Sequence, residues 1–262
     1  MNGNSSLVRR GTVVSVALLI VVLAAWQWGP GLLGIPTFII PPLSAVFDEF
    51  LRMLAVSALM THTGVTALEV IAGFLLGSLL GAFFGYVLGM SPTAESALSP
   101  YILALQIAPK VAFAPLFILW MGFTLYPKIL VAILIVFFPV MVNVLTAIRT
   151  VDPDLVNLAR AFKATRAQIF WKIEFPASLP PLFAGLRIAS TLAVVGVVVG
   201  ELVGGNLGLG YLLAFGEGQA NTAMVFVAIL MLTVVGGIAY LAVILVEQRV
   251  LHYLPLRTLS GV

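Results

Sequence analysis

The sequence lacks cysteine and has few charged residues. Without cysteine, disulfides, zinc–thiolate sites and a cysteine nucleophile are excluded. Only 9% of the 262 residues are charged, whereas an ordinary soluble domain has about 25%. The mean hydropathy is +1.16, and 13 basic and 10 acidic side chains cannot cover the surface of a water-soluble protein of this size. The chain is therefore predicted to be an integral membrane protein.

Six continuous apolar runs are long enough to cross a bilayer as helices. They do not alternate between apolar and polar residues, as the strands of a transmembrane barrel would. The predicted fold class is all-α, a polytopic membrane protein with six transmembrane helices. The runs are 11–28, 65–90, 100–122, 129–147, 181–203 and 223–246.

The distribution of Lys and Arg predicts the orientation. If the N-terminus is cytoplasmic, ten basic residues fall on that side, and three fall on the other side or within the third run. Both termini are then expected in the cytoplasm. The first run exceeds the h-region of a signal peptide and no A-x-A-like site follows it, which favours a retained helix. The ten are Arg9, Arg10, Arg149, Arg160, Lys163, Arg166, Lys172, Arg187, Arg249 and Arg257; the three are Arg52, Lys110 and Lys128.

Two segments have patterns of their own. Residues 43–60 carry Asp48, Glu49 and Arg52 among apolar residues, which is typical of an interfacial helix rather than a span. In the second run a glycine recurs every four residues, and such a ridge lets another helix backbone approach closely. Helix packing is the favoured interpretation, and a substrate groove is the alternative. The ridge consists of Gly73, Gly77, Gly81, Gly85 and Gly89.

The only long polar stretch between spans, residues 150–181, is predicted to form two short helices. Asp152 is a suitable N-cap, with Pro153 at the first helical position. Thr165 and Gln168 have the spacing of a capping box at a second helix start, and Pro176 is expected to stop that helix. Such a helix–turn–helix could rest on lipid headgroups, or it could dock a cytoplasmic partner that grips apolar side chains.

The stretch also carries a family resemblance. Asn157-Leu158-Ala159, then Lys163, then Ile173-Glu174-Phe175-Pro176 have the spacing of the "EAA" loop of ATP-binding-cassette importer permeases. Gly200-Glu201-Leu202-Val203 with Gly208-Leu209-Gly210-Tyr211-Leu212 also resembles this family, and the likeness extends over about residues 65–254. Two positions depart from the family pattern. Asn157 replaces its glutamate, and Lys163 replaces the glycine expected in the left-handed conformation at the end of the first short helix.

The resemblance implies a single permease domain over residues 1–262, with an importer core at 63–255 and a cytoplasmic coupling loop at 150–180. It implies cytoplasmic ATP-binding subunits, a second permease copy and an extracytoplasmic substrate-binding protein as partners. It also implies a location in the lipid bilayer of a bacterial-type inner membrane, and no nucleic acid is expected as a partner. The chain has no G-x-x-x-x-G-K-[ST] phosphate loop, so it is expected to be a transport subunit rather than an enzyme, with no cofactor. The residues expected to couple to the ATPase are Asn157, Leu158, Ala159, Phe162, Lys163, Ala164, Thr165 and Ile169.

Within this family the chain most resembles permeases of the nitrate, sulfonate and taurine group and those for thiamine-pyrimidine precursors or riboflavin. The stretch 106–117, which begins Gln106-Ile107-Ala108-Pro109-Lys110, carries the likeness to the vitamin-precursor branch. A small organic solute or anion of these classes is the expected substrate.

Polar residues inside apolar runs are candidates for the substrate path, because a charge in the bilayer is costly. Pro109 and Lys110 predict a broken helix that lines a cavity, and Gln106 lies one turn before Lys110. Glu201 is a possible ion-pair partner of Lys110, and that pair could serve transport or only lock two helices. Glu69 is expected at the membrane interface, and the glycine-rich connection 204–218 is expected to form a flexible outer gate.

Two other functions compete with an importer subunit. An ion-gradient-driven secondary transporter or channel would be favoured by inverted repeats with paired acidic residues near mid-membrane, and the sequence reveals none. A non-transporting scaffold could use the polar loop to bind a soluble protein. His62 and His252 have no companion at metal-ligand spacing, so no metal site is expected.

Overall fold

The computed structural model describes residues 3–252, with side chains from residue 11 onward. Arg257 and the end of the expected 63–255 core lie outside the described residues, as do the side chains of Arg9 and Arg10. All regular elements in the described range are helical, which confirms the all-α class. They are α1 (Gly3–Leu32), α2 (Leu43–Ala55), α3 (Ala58–Gly89), α4 (Pro92–Ile107), α5 (Ala114–Met121), α6 (Tyr126–Arg149), α7 (Pro153–Ala161), α8 (Arg166–Ile169), α9 (Phe175–Gly204), α10 (Leu209–Gly218) and α11 (Thr222–Val250).

The helices long enough to cross a membrane agree with the predicted number of spans. Within the described residues five are long and apolar enough by themselves: α1 from Gly11 onward, α3, α6, the stretch Arg166–Gly204 and α11. A sixth span is reached when α4 and the segment Lys110–Met121, which are bent by 78° at their break, are taken together. The third apolar run is thus a broken span that begins at Pro92, and not a straight helix over 100–122.

α6 is the centre of the bundle. Val136, Val140 and Val144 follow one another at four-residue spacing on this helix and are fully buried. α3 packs on one side of α6 and α9 on another. Since lipid tails are as apolar as valine, burial alone does not hold these helices together, and close packing must supply the attraction.

The glycine ridge of α3 provides that close packing. A Cβ atom at Gly73 would lie 2.5 Å from the Ala132 Cβ, and one at Gly81 would lie 2.6 Å from the Phe137 carbonyl oxygen. At the far end of the ridge, a Cβ at Gly89 would lie 2.8 Å from Ile148. The predicted role in helix packing is confirmed, and α3 and α6 run in the same direction because both sets of residue numbers increase along the contact.

Glycines also let α9 pack closely on another face of α6. A Cβ at Gly196 would lie 2.7 Å from the Ala132 Cα, and one at Gly200 would lie 2.8 Å from the Lys128 Cα. The residue numbers run in opposite senses, so α9 is antiparallel to α6. α6 is therefore enclosed between two glycine-lined helix faces, of which the sequence analysis identified only the first.

α2 has 13 residues, which are too few to span a bilayer, so the segment is not a span, as predicted. It ends earlier than expected, since the chain turns at Ser57 with a φ of +54° and α3 then begins at Ala58. Arg52 donates to Glu49, with 2.5 Å between Nη2 and Oε1. This hydrogen bond lowers the pKa of Glu49, and Asn221 at the start of α11 also donates to Glu49.

Pro176 does not stop the second helix of the polar loop, which corrects the prediction. A π turn at Phe170–Glu174 joins α8 to α9, and Pro176 is the second residue of α9. In that turn the Phe175 N–H donates to the Phe170 carbonyl. In the π turn the backbone hydrogen bonds run from residue i to residue i−5 instead of i−4. The regular α-helical hydrogen bonds are therefore already interrupted where Pro176 lacks an N–H.

Candidate functional site

The coupling loop, residues 150–180, has the two capped helices that the sequence predicts. Asp152 caps α7 by accepting from the Asp154 N–H at 2.8 Å. Thr165 and Gln168 form a complete capping box at the start of α8. Both predicted helix starts are therefore confirmed. Each cap binds backbone N–H groups that have no partner within the helix.

Lys163 ends α7 in the left-handed conformation, with a φ of +56°. The Lys163 N–H donates to the Arg160 carbonyl, and the Ala164 N–H donates to the Ala159 carbonyl. This is the bonding of a Schellman motif, which ordinarily places glycine at this position. The turn expected from the family resemblance is therefore kept despite the lysine.

The loop presents large apolar side chains to the outside. Phe162 is 80% exposed, Trp171 63% and Leu158 56%. Around them Asn157, Lys163 and Thr165 are also exposed, while Ala159 and Ala164 are half-buried. Ile169 differs from the other expected coupling residues because its side chain is buried, so it can anchor the loop but cannot lie on its surface.

The break between α4 and α5 brings together three of the four expected substrate-path residues. α4 ends at Ile107, Pro109 follows the break, and Lys110 starts a 3₁₀ turn. Lys110 Nζ donates to the Gln106 carbonyl at 2.6 Å, and it lies 4.8 Å from the centre of the Phe138 ring. The lysine thus neutralises a helix C-terminus whose carbonyl groups the break leaves without helical partners. Pro109 and Gln106 are exposed, and Lys110 is half-buried.

Glu201 is not part of this group, and the expected Lys110–Glu201 ion pair is not formed. Glu201 is 1% exposed and accepts from the Thr66 hydroxyl at 2.7 Å and from the Gly210 N–H at 2.6 Å. The prediction was wrong because it paired the charges that stood out in the third and fifth runs, whereas Lys110 is held by carbonyl groups at the end of α4.

Glu201 belongs to a buried polar cluster that holds the backbone of residues 207–210, and we call this arrangement the latch. Three helices supply its side chains: α3, α6 and α9. The four anchored groups are the Leu207 carbonyl, bound by Lys128; the Gly208 N–H, bound to His62 Nδ1; the Leu209 N–H, bound to the Thr66 hydroxyl; and the Gly210 N–H, bound to Glu201.

The latch explains why two positions of the family-like stretch 208–212 are glycine. Gly208 has a φ of +113°, and a Cβ there would lie 1.9 Å from Glu201 Oε1. A Cβ at Gly210 would lie 2.7 Å from the Glu201 Cβ. The prediction that the connection 204–218 is flexible is therefore wrong. The connection folds into α10, and side chains of three helices bind the backbone of residues 207–210.

The cluster also contains an ion pair that the sequence analysis missed. Lys128 Nζ lies 2.9 Å from Glu69 Oε1, and the two side chains are 3% and 0% exposed. Glu69 is therefore buried between helices, and Lys128 belongs to α6 and not to a loop. Glu69 and Glu201 are two buried carboxyl groups of the same cluster, which was overlooked because 131 intervening residues separate them in the sequence. The only local signals were a glutamate in an apolar run and Thr66 three residues before it on the same helix face.

Two further ion pairs lie near the coupling loop. Arg187 of α9 donates to Glu247 of α11, with 2.6 Å between Nε and Oε2, so this arginine lies within the bundle and not in the loop. Arg149 at the end of α6 pairs with Glu95 in the first turn of α4. Within residues 3–252 no group of three or more potential metal ligands is found.

Comparisons with known proteins identify the family. Residues 73–252 match the family described as "Binding-protein-dependent transport system inner membrane component". The chain is 37% identical to the riboflavin transport system permease protein RibX of Chloroflexus aurantiacus, over 90% of this chain and 88% of that protein. It is 34% identical to the putative aliphatic sulfonates transport permease protein SsuC of Bacillus subtilis, over 94% and 89%. The chain belongs to this permease family.

Further relatives and solved structures agree with this assignment. The permease is 30% identical to the formylaminopyrimidine transport permease protein ThiX of Halalkalibacterium halodurans, over 89% of this chain and 93% of that protein. An inward-facing structure of the MetNI methionine ABC transporter contains a chain with a TM-score of 0.61, which covers 72% of this chain and 94% of that one. At 19% identity this likeness shows a shared fold.

The permease is a transport subunit of an ATP-binding-cassette importer in the inner membrane, and not a catalytic enzyme. This assignment replaces the secondary transporter and the scaffold as interpretations. The matched residues 73–252 include the glycine ridge, the broken span and the coupling loop. Of the latch they include Lys128, Glu201 and residues 207–210, whereas α1, α2 and the latch side chains of α3 precede them.

Proposed function

We propose that the permease is one membrane-spanning half of a homodimeric importer, with both termini in the cytoplasm. In this proposal two cytoplasmic ATP-binding subunits dock on the coupling loops, and an extracytoplasmic binding protein delivers the solute. The domain is a single permease unit over residues 1–262, with its importer core at 63–255. The chain has no phosphate loop of its own, so the energy comes from the partner ATPase.

The observation that carries the docking assignment is the set of exposed apolar side chains on the coupling loop. Phe162, Trp171 and Leu158 are more than half exposed although they are large and apolar. Leu158 lies on α7, Phe162 directly follows the end of α7, and Trp171 lies in the π turn that continues α8. Hydrogen bonds fix the starts of both short helices, so the surface is ordered before a partner binds. A rigid apolar surface loses little entropy on binding and suits insertion into a cleft of a cytoplasmic protein.

The loop is connected so that movement can be transmitted. α8 continues through the π turn into α9 without an intervening loop, and α9 packs closely on α6 at Gly196 and Gly200. Displacement of the loop by closure of the nucleotide-bound ATPase pair would therefore move α9 as a rigid rod. In this mechanism the permease alternates between outward and inward access.

The broken span is the proposed place of substrate contact. Gln106, Pro109 and Lys110 lie together at the 78° bend, and non-helical backbone is tolerated at membrane depth where it lines a cavity. Glu201 is left out of the path because it is buried in the latch. The relatives named for riboflavin, aliphatic sulfonates and formylaminopyrimidine support a small organic solute or anion as the substrate.

The docking proposal is tested by co-purification. The full-length tagged permease is purified from its native membranes in mild detergent, and co-purified subunits are identified by mass spectrometry and assayed for ATP hydrolysis. We expect a subunit with a phosphate-loop motif to co-purify with the wild type and to be lost in Ala159→Asp and Phe162→Asp. Thr93→Asp is the matched control, because Thr93 is exposed in the first turn of α4 and lies outside the coupling loop. The Glu95–Arg149 ion pair places this turn at the same end of the bundle as the loop.

Recovery of no ATPase subunit with the wild type would overturn the proposed assembly. Retention of the subunit by both loop variants would overturn the docking assignment. The dimer is tested separately, because a permease with two different tags should be captured by either tag if it forms a homodimer.

The substrate path is tested with Lys110→Ala in reconstituted vesicles that contain the ATPase and the binding protein. We expect uptake of riboflavin, an aliphatic sulfonate or formylaminopyrimidine, whichever the wild type imports, to fall at least about tenfold while the assembled complex is retained; a tenfold change is about 1.4 kcal/mol. Loss of the assembled complex would show instead that Lys110 acts only as the cap of α4. Uptake equal to that of the wild type would exclude a role of Lys110 in the substrate path.

A further inference from the structure

The latch contains more acidic than basic side chains. Glu69 and Glu201 are 0% and 1% exposed, and the one buried cation beside them is Lys128. Two carboxylates and one ammonium would leave a net negative charge in the interior of a membrane protein. An uncompensated buried charge is strongly unfavourable, and a buried carboxyl group ordinarily becomes neutral by taking up a proton.

The hydrogen bonds locate the atom at which compensation is missing. Glu69 Oε1 accepts from Lys128, whereas Glu69 Oε2 is buried without a hydrogen-bond partner among the described residues. Both oxygens of Glu201 already accept, one from Thr66 and the other from Gly210. The orphaned Glu69 oxygen is thus a buried acceptor that lacks a donor.

The two carboxyl groups are neighbours, so one can supply that donor. Thr66, which binds Glu201, lies three residues before Glu69 on the same face of α3. Lys128, which binds Glu69, also binds the Leu207 carbonyl, three residues before the Gly210 N–H that Glu201 binds, so both carboxyl groups lie in one small buried cluster. Two ionised carboxylates can only accept hydrogen bonds, so neither can donate to the other. A hydrogen bond between two carboxyl groups therefore requires that one of them carries a proton.

The charged and titratable groups around the pair are few. α3 contributes His62, whose Nδ1 accepts a hydrogen bond and therefore carries no proton at that atom, and α6 contributes Lys128. α10 contributes backbone N–H groups of its first turn, which carry only a partial positive charge. α5 has no charged side chain, and the charges of α11, Glu247 and Arg249, lie at the opposite end of that helix.

We propose that the latch is a proton-binding site, in which one proton is shared by Glu69 and Glu201. With this proton the cluster of two carboxyl groups and Lys128 is electrically neutral. The proton gives Glu69 Oε2 its hydrogen bond and lets Glu201 lie against Glu69 while it holds Gly210. The proton is therefore a resident ligand that keeps the start of α10 attached to α3 and α6, and this role goes beyond the proposed docking and import functions.

The test is the infrared spectrum of the purified full-length permease at neutral pH, where exposed carboxyl groups are ionised. We expect a C=O stretching band of a protonated carboxylic acid in the wild type, and we expect it to shift to lower frequency in D₂O. Glu201→Gln should abolish the band. Glu247→Gln is the matched control and should retain it, because Glu247 is also buried but is paired one to one with Arg187.

The wild-type spectrum by itself can overturn the proposal, so the test does not depend on the folding of a variant. Absence of the band from the wild type, or its persistence in Glu201→Gln, would exclude a shared proton in the latch. Absence of the band together with a Na⁺-dependent rise in the thermal unfolding temperature would indicate a metal cation in its place and would equally overturn the proposal. None of these outcomes depends on ATPase docking or on the imported solute.

Discussion

Lys128 Nζ lies 2.9 Å from Glu69 Oε1, and this ion pair joins the start of α6 to the interior of α3. The same ammonium donates to the Leu207 carbonyl at 3.3 Å. The pair therefore fixes two parallel helices to each other and also holds the segment that leads into α10. Its partners are far apart in the sequence, and it is one of the contacts that determine how this end of the permease is arranged.

Lys128→Met should destabilise the permease strongly. Methionine fills similar space, but Glu69 loses its counter-ion while it remains buried, and removal of one partner of a buried pair costs about 3–5 kcal/mol. The measurement is thermal unfolding of the purified permease in detergent. Lys172→Met is the control and should change stability by less than about 0.5 kcal/mol, because Lys172 is exposed. Equal unfolding temperatures of the two variants would contradict a structural role of the pair.

Gly208→Ala should disrupt the latch. Alanine at a φ of +113° is strained by about 1–3 kcal/mol, and its Cβ would overlap with Glu201 Oε1. We expect faster hydrogen exchange at residues 207–212 and a lower unfolding temperature. Gly218→Ala, at the other end of α10, has open space at its Cβ and should leave both quantities near those of the wild type. Unchanged exchange in Gly208→Ala would show that the latch does not hold this segment.

Gly81→Ala should weaken the packing of α3 on α6. The added methyl group would lie 2.6 Å from the Phe137 carbonyl oxygen, a backbone atom that can move only with the helix. Overpacking of this kind costs about 1–3 kcal/mol. Gly64→Ala is the control on the same helix, has nothing within reach of its Cβ, and should stabilise α3 by about 0.5–1 kcal/mol. The ridge would not be a packing surface if both variants were stabilised.

Lys163→Gly should stabilise the coupling loop. A left-handed conformation costs a side-chain-bearing residue about 1–2 kcal/mol, and glycine adopts it freely. We expect slower hydrogen exchange at residues 159–165. Arg160→Gly, inside α7, should have the opposite effect, because glycine in a helix costs about 1 kcal/mol relative to a good helix former. Slower exchange in both variants, or in neither, would be inconsistent with strain at Lys163.

Local and periodic features of the structure could be predicted because their causes lie within a few residues. The caps at Asp152 and Thr165 depend on backbone groups two or three residues away, and the ridge of α3 depends on the helical repeat. The break at Pro109 follows from the missing proline N–H. Pro176 was misjudged because a π turn, which no local signal in the sequence indicated, absorbed its effect.

Contacts between distant residues could not be predicted in this way. Lys110 and Glu201 were paired as two conspicuous charges, but each has other partners, and the partner of Lys128 is 59 positions away. Gly196, Gly200 and Gly204 of α9 also recur every four residues, but this shorter repeat was not recognised as a second ridge, and only contact with α6 shows that Gly196 and Gly200 lie on its packing face.

The sequence by itself determined that this protein is a helical membrane permease, since scarce charge, long apolar runs and the motifs of the coupling loop are properties of composition and short-range spacing. Only the tertiary structure decided where the few buried charges go. In a membrane interior each such group must find a partner from another helix, and which partner it finds depends on how the glycine-lined faces of α3 and α9 bring those helices against α6.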